Sequence, residues 1–258
     1  MTNTKEVKLV NTNRQAATPM ASHRKISLTA GLLYLLTMVS IPTLALYGQV
    51  KSANYILGAG PDTAAIIGGI SEVIVALAGI GTAVVLFTVL KKQNEGVALG
   101  LVAARILEAA AIFVGVAFLL SIVTLRQAAA GADALVTSHT LVALYDRIFL
   151  LGPSFMPAID DLLLGFLLYK SRLVPRALSL IGIVGAPILI SFVIGMILGV
   201  AQVGTPFHVV AVLPFFVWEL ALGLWLTFKG FNESAPIAVA ERARLAPVAG
   251  LTTTAGAA

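Results

Sequence analysis

The chain has 258 residues, of which 59% are hydrophobic and 11% charged, and its mean hydropathy is +0.97. About a quarter of the residues of a soluble domain are charged, so this composition excludes a water-soluble globule and predicts a membrane protein. The chain has a net charge of +5 and contains no cysteine, which excludes disulfides, thiolate-bound metals and a cysteine nucleophile.

Six apolar segments follow in chain order, each long enough to cross the hydrocarbon core of a bilayer. They are predicted at about residues 26–47, 65–90, 97–125, 148–169, 177–201 and 207–228. Residues 1–25 and 230–258 are predicted to be flexible cytoplasmic tails, which leaves residues 26–229 as the membrane domain. The first span follows basic residues, as in a signal peptide, but its length and the poor cleavage site at residues 45–47 favour a retained anchor.

Lysines and arginines are distributed unevenly among the connections. Thirteen lie in the two tails and in the turns after the second and fourth spans, whereas Lys51, Arg126 and Arg147 lie in the other connections. By the positive-inside rule, six spans with both termini in the cytoplasm fit this distribution best. The basic residues form no stripe interleaved with exposed aromatic residues, so no nucleic-acid partner is expected.

Two irregular regions interrupt the pattern. The connection from Arg126 to Arg147 has apolar residues partly at helical spacing, which indicates a helix along the membrane interface. Proline-bearing stretches at residues 152–157 and 185–187 are predicted to kink their helices, and a functional discontinuous helix is the alternative. Gly195 and Gly199 form a GxxxG pattern, which favours packing within the bundle over dimerisation and leaves a homo-oligomer open.

Several ionisable residues fall inside or beside the predicted spans, where an ionised group near the centre costs at least about 2.5 kcal/mol. Those expected about 12 to 18 Å deep, near the midplane, are Arg105, Glu108, Asp160, Asp161 and Glu219. Two more, Glu72 and His208, are expected nearer the outer surface. Each of these residues therefore needs compensation by a partner, a proton or water.

Small residues at helical spacing accompany Glu72, Glu108 and Asp161, so these acids are predicted to face the interior of the bundle. Arg105 is placed to pair with Glu108 at i+3, and one guanidinium neutralises one or two carboxylates at most. The adjacent acids Asp160 and Asp161 point about 100° apart on a helix and are not expected to meet at one centre.

Three interpretations of this polar cluster stay open: a buried knot that fixes helix register, a proton or cation path, and a catalytic constellation. The three histidines, His23, His139 and His208, are too far apart in the chain to share a helix face. The sequence therefore predicts no metal site and no cofactor.

Three stretches of the chain, taken together, resemble one family. They are Glu95-Gly96-Val97-Ala98 followed by Arg105-Ile106-Leu107-Glu108, Leu168-Tyr169-Lys170-Ser171-Arg172-Leu173-Val174-Pro175-Arg176, and Trp218-Glu219-Leu220 followed by Leu224-Trp225-Leu226-Thr227-Phe228-Lys229-Gly230. The family is called domain of unknown function 4386, and the resemblance covers about residues 24–231. It implies a bacterial multi-pass protein, expected in the inner membrane, and it supplies no catalytic residue because the family's activity is unassigned.

The sequence thus predicts an all-α, polytopic six-helix transmembrane bundle with both termini cytoplasmic. The leading functional hypothesis is that the midplane cluster binds or moves a proton, a cation or a small solute; membrane lipids are the other expected partners. One alternative is an intramembrane enzyme that uses an acid as a general acid on a lipid-like substrate. The other is an accessory or sensory membrane protein whose polar cluster is purely structural.

Overall fold

A computed structural model describes residues 19–245, and over this range the fold is helical with no strands. The α-helices are α1 (Pro19–Thr37), α2 (Ser40–Leu46), α3 (Thr63–Leu90), α4 (Glu95–Gln127), α5 (Leu135–Leu151), α6 (Met156–Ser171), α7 (Arg176–Ile197), α8 (Pro206–Leu224) and α9 (Pro236–Leu245). Short 3-10 helices lie at Tyr55–Leu57 and Gly131–Ala134, and a π-helix at Trp225–Lys229 extends α8.

Six helical segments are long and apolar enough to cross a membrane, which confirms the predicted all-α, multi-pass architecture. They are α1 with α2, α3, α4, α5 with α6, α7, and α8 with its π-helical extension. An even number of spans places both ends of the membrane domain on one side. We call that end of the bundle the termini side and the opposite end the far side; which of them faces the cytoplasm stays a prediction.

Local signals fix where the continuous spans begin and end. At the start of α4 the side chain of Asn94 accepts a hydrogen bond from the N–H of Val97 at 3.0 Å, which caps the helix. Gly199 lies beyond the end of α7 with a φ of +76°, a conformation that suits glycine and ends helices. Gly195 and Gly199 therefore share no helix face, so the GxxxG interpretation is wrong.

Two spans are broken near the middle of the bundle. The first span breaks between α1 and α2, and the fourth breaks between α5 and α6 at residues 152–155. The fourth span also begins at Leu135 and not near residue 148, because α5 packs along the far half of α4 while α6 packs along its termini-side half. The segment expected to lie along the interface is thus the first part of a broken span. The helix is discontinuous at residues 152–155, whereas α7 continues through Pro187, so the stretch at residues 185–187 does not break its helix.

The termini-side half is closely packed. α1 and α8 approach each other through glycines: a Cβ at Gly31 would lie 2.6 Å from the backbone N of Thr227, and one at Gly223 would lie 2.8 Å from Leu35. The buried core of this half includes Tyr34, Leu86, Leu101, Leu164, Leu168, Trp218, Leu222 and Leu226. These contacts close the bundle at this end.

The far half is divided into two walls. α2 packs on α3 and α5 on α4, whereas α7 packs on α8. The division coincides with the breaks, since α2 and α5 are the short helices on the far side of them. The space between the walls holds the cavity described below.

The segment expected to be a flexible tail from residue 230 onward contains α9. Ala235 and Ala238 are buried against the termini-side core, and Glu241 lies 2.7 Å from Nε2 of His23 and 2.6 Å from Nζ of Lys92. These contacts hold α9 against α1 and the turn after α3. Of the two predicted tails, residues 1–18 and 246–258 lie outside the described range.

Candidate functional site

Arg105 is the centre of a cluster that joins three helices. Its Nη1 lies 2.8 Å from Oε2 of Glu108, its Nε 3.2 Å from Oδ2 of Asp160, and its Nη2 3.8 Å from Oε1 of Glu219. These acids come from α4, α6 and α8. The structure therefore brings together four of the five residues expected near the midplane.

The sequence of α3 makes room for the guanidinium. Gly79 faces Arg105, and a Cβ at this glycine would lie 3.8 Å from Cδ of the arginine. On the termini side, the ring of Tyr34 lies 5.7 Å from the guanidinium carbon, close enough for a cation–π contact. Arg105 is thus positioned by Glu108 one turn further along α4, by Gly79 of α3 and by the ring of Tyr34.

The two adjacent aspartates diverge. Asp160 is fully buried and faces Arg105, whereas Asp161 accepts a hydrogen bond from the hydroxyl of Tyr34 at 3.4 Å. This divergence follows from their angular separation on α6. Asp161 is the fifth residue expected near the midplane, and within residues 19–245 its hydrogen bond with Tyr34 links it to the cluster.

Glu72 and His208 lie toward the far side and do not pair with Arg105. Glu72 is buried and accepts a hydrogen bond from the hydroxyl of Tyr47 at 3.0 Å. His208 lies in the first turn of α8, with its ring 5.2 Å from that of Phe192, and its Nδ1 is 3.4 Å from the N–H of Gly204. Both residues line the same cavity as the cluster.

A cavity of about 540 Å³ connects the far end of the bundle to the cluster. Near the far end it is lined by Asp146 and His208, and in the middle of the bundle by Arg105, Glu108 and Glu219. Its walls are mostly apolar and include Ile112, Leu189, Phe192, Val193, Val212 and Phe215. Asp160 and Asp161 do not line it, so Glu108 and Glu219 are the cluster acids that a solute meets.

Both helix breaks contribute to the wall of this cavity. Met38 and Ser40 line it from the first break, and Pro153 and Ser154 line it from the second. Irregular backbone at membrane depth is tolerated where it lines a polar cavity or is buried in protein, which is the situation here. The breaks thus create the cavity and supply part of its polar surface.

Sequence reasoning missed the tyrosines of this site. No role in the site is predicted from the sequence for Tyr34 or Tyr47, yet each hydroxyl donates to a buried acid. A signal was present, because a tyrosine hydroxyl inside a span needs an acceptor and Glu72 and Asp161 were predicted to face the interior of the bundle. Within residues 19–245, no three histidines or acids are grouped so as to hold a metal ion.

The comparisons with known proteins agree with the residues that suggested a family. The model of the family described as Domain of unknown function (DUF4386) matches residues 29–230. The chain therefore belongs to this family. The matched range includes Arg105 and the residues that contact it. No curated protein and no solved structure matches the chain.

Proposed function

We propose that the protein binds a small organic cation in the cavity on the far side of Arg105. The cation enters from the far side of the membrane, and protons leave the acids of the cluster when it binds. The observation that carries this proposal is the extent of the cavity, which runs from His208 to Glu108 and Glu219 in the middle of the bundle. A cluster that only fixed the packing of helices would need no such access.

The charge balance of the cluster favours a cation or proton over an anion. Arg105 faces Glu108, Asp160 and Glu219, and a guanidinium satisfies at most two carboxylates well. Glu219 has the longest contact with Arg105, at 3.8 Å, and it lines the cavity. A bound ammonium group or a proton on this acid would complete the compensation.

The size and walls of the cavity favour a ligand with an apolar body. A volume of about 540 Å³ lies within the range of small-molecule sites, which combine apolar walls with a few polar groups. Leu189, Phe192 and Phe215 supply apolar wall area from α7 and α8. The acids at the inner end would then orient the charged group.

Because the termini-side half is closely packed, the cavity in this structure is open toward the far side and closed toward the termini side. Movement across the membrane requires a second state in which this half opens, and α7 and α8 each carry a proline, Pro187 and Pro214, at which a helix can bend. Binding is therefore the first property to test, and movement the second.

The test uses phenylethylammonium, which has an apolar ring and a charged ammonium group, as the probe and the purified full-length chain in nanodiscs. Equilibrium dialysis should show saturable binding, and Glu219→Gln or Glu108→Gln should weaken it about tenfold or more, the value of one charged contact. Glu95→Gln is the matched control, because Glu95 is exposed on the first turn of α4 and outside the cavity.

Two further measurements complete the test. Binding should release protons into a weakly buffered medium, and uptake into proteoliposomes would show movement as well as binding. Thermal melting of each variant separates loss of the site from loss of fold. Equal binding by the parent and both glutamine variants, or a loss that follows only the unfolded fraction, would contradict the proposal and favour a structural cluster.

A further inference from the structure

A second cavity, of about 460 Å³, lies on the termini side between the turn after α6 and the end of α8. Arg172, Arg176 and Lys229 line it, together with the apolar residues Val174 and Phe231. None of its lining residues is acidic. This groove is separate from the far-side cavity and has the opposite charge.

The π-helix at the end of α8 shapes this groove. The N–H of Gly230 donates to the carbonyl of Trp225 at 2.9 Å, which closes a wider turn than an α-helix has, and Gly230 takes a φ of +78°. Arg24 donates to the carbonyls of Leu226 at 3.2 Å and Thr227 at 2.7 Å, so the π-turn is held from α1. Trp225 and Lys229 are thereby fixed beside the turn after α6.

The positive charges of the groove are uncompensated within the described residues. Over residues 19–245, no carboxylate lies within 4.0 Å of Arg172, Arg176 or Lys229. The neighbouring acid, Glu233, pairs instead with Arg242 at 3.8 Å. Three cations around one cavity repel one another, and an anion between them would relieve the repulsion.

The groove also offers hydrogen-bond donors without acceptors. α7 begins at Arg176 directly after Pro175 and has no side-chain cap, so N–H groups of its first turn are free to bind an anion. The ring of Tyr169 lies 5.0 Å from the guanidinium of Arg176 and holds it by a cation–π contact.

We propose that this groove binds a phosphate group, presented either by an anionic phospholipid of the termini-side leaflet or by free phosphate. Planar guanidinium groups and free helix N–H groups are the donors that phosphate prefers. Basic pockets at the membrane surface favour anionic headgroups in the same way, and the half-buried ring of Trp225 can contact the first part of an acyl chain. The site does not depend on the function of the far-side cavity.

The experiment compares two pairs of substitutions in the full-length chain. Arg176→Gln with Lys229→Gln removes two cations from the groove, whereas Lys25→Gln with Lys91→Gln removes two cations of the same side outside it. Tryptophan fluorescence is followed in nanodiscs that contain brominated phosphatidylglycerol or brominated phosphatidylcholine, and separately in neutral detergent during a titration with sodium phosphate. Melting temperatures verify that both pairs fold.

The two sources of phosphate give different results. For a lipid headgroup, brominated phosphatidylglycerol quenches more strongly than phosphatidylcholine, and the groove pair weakens this affinity about 30-fold while the control pair retains it, since each cation is worth about fivefold. For free phosphate, the titration saturates in the parent and in the control pair but not in the groove pair. No preference and no saturation, or equal effects of the two pairs, would overturn the proposal.

Discussion

The two halves of the bundle differ although the same six spans build both. On the termini side, Gly31 and Gly223 let α1 and α8 come into close contact, and a core that includes Leu222 closes the space between the helices. On the far side, the breaks before α2 and after α5 separate two walls around a cavity. Close packing therefore stabilises mainly the termini-side half, whereas the far half holds the cavity.

Arg105 lies where the two halves meet, and its loss should have the largest effect. Arg105→Ala leaves Asp160 and its neighbouring acids without a cation, which should cost about 3 to 5 kcal/mol of unfolding free energy. The double variant with Asp160→Asn should recover part of this loss, because one buried charge is removed. Denaturant unfolding in detergent measures both, and equal losses in the single and double variants would show that the pair does not hold the halves together.

The next largest effect is expected from replacing one buried leucine in each half by alanine and comparing the losses of stability. Leu222→Ala empties space in the closed core and should cost about 4 kcal/mol, whereas Leu189→Ala enlarges a cavity that already exists and should cost about 2 kcal/mol, the lower end of the range for a buried leucine. Melting temperatures of the two variants in the same detergent give the comparison. A larger loss for Leu189→Ala would reverse the assignment of stability to the termini side.

Two glycines give a matched pair with a smaller expected effect. A methyl at Gly31 meets the backbone of Thr227, so Gly31→Ala should cost about 1 to 3 kcal/mol as α1 and α8 move apart. A methyl at Gly79 meets only the side chain of Arg105 at 3.8 Å, so Gly79→Ala should change stability by less than about 1 kcal/mol. Thermal unfolding compares them, and similar losses at both positions would be inconsistent with a closed termini side.

The smallest effect concerns the acids at the two ends of the bundle. At Glu241, partial burial raises the pKa, but the hydrogen bonds and charges of Lys92 and His23 together lower it by more. The pKa of Glu241 therefore lies below its usual value. The same balance at Asp62, where Tyr55, Gln127 and Arg126 oppose burial, also gives a lowered pKa. Both acids therefore stabilise the fold above about pH 4.5, and this contribution is lost as the pH falls through their lowered values.

We expect Glu241→Gln and Asp62→Asn each to remove about 0.2 to 1 kcal/mol at pH 7 and to flatten the loss of stability on acidification. Melting curves between pH 7 and pH 3 measure this. The ion pairs of Asp62 with Arg126, at 2.6 Å, and of Glu241 with Lys92, at 2.6 Å, are similar in length, so the two variants should behave alike. An unchanged pH profile in both would show that neither acid contributes.

The sequence predicted the spans well because long apolar segments leave few other structures possible in a membrane. The inward direction of Glu108 and its pairing with Arg105 also followed from helical spacing alone. The start of the fourth span could not be predicted in this way. Ser138, His139 and Asp146 lower the hydropathy of α5, although this helix packs along α4. Polar residues near the end of a span look like a loop until the neighbouring helix is known.

Contacts between helices account for the rest of the site. The contacts of Arg105 with Asp160 and Glu219 join segments more than 50 residues apart, so no local spacing encodes them. Similar depth in the bilayer made these contacts plausible but did not select the partners of each acid. The role of Tyr34, which contacts both Asp161 and Arg105, depends on the packing of α1 against α3 and α8, and this too is a property of the whole bundle.

Because the cavity opens toward one end of the bundle, labelling of a thiol in its wall can show which side of the membrane that end faces. The chain has no cysteine, so Ser154→Cys would place a single thiol in the wall of the cavity, at the break before α6. A membrane-impermeant maleimide added to intact cells would reach this thiol only if the far side faces outward, because the other half is packed. Labelling in intact cells, compared with inverted vesicles, would therefore establish the orientation of the whole bundle without altering either terminus.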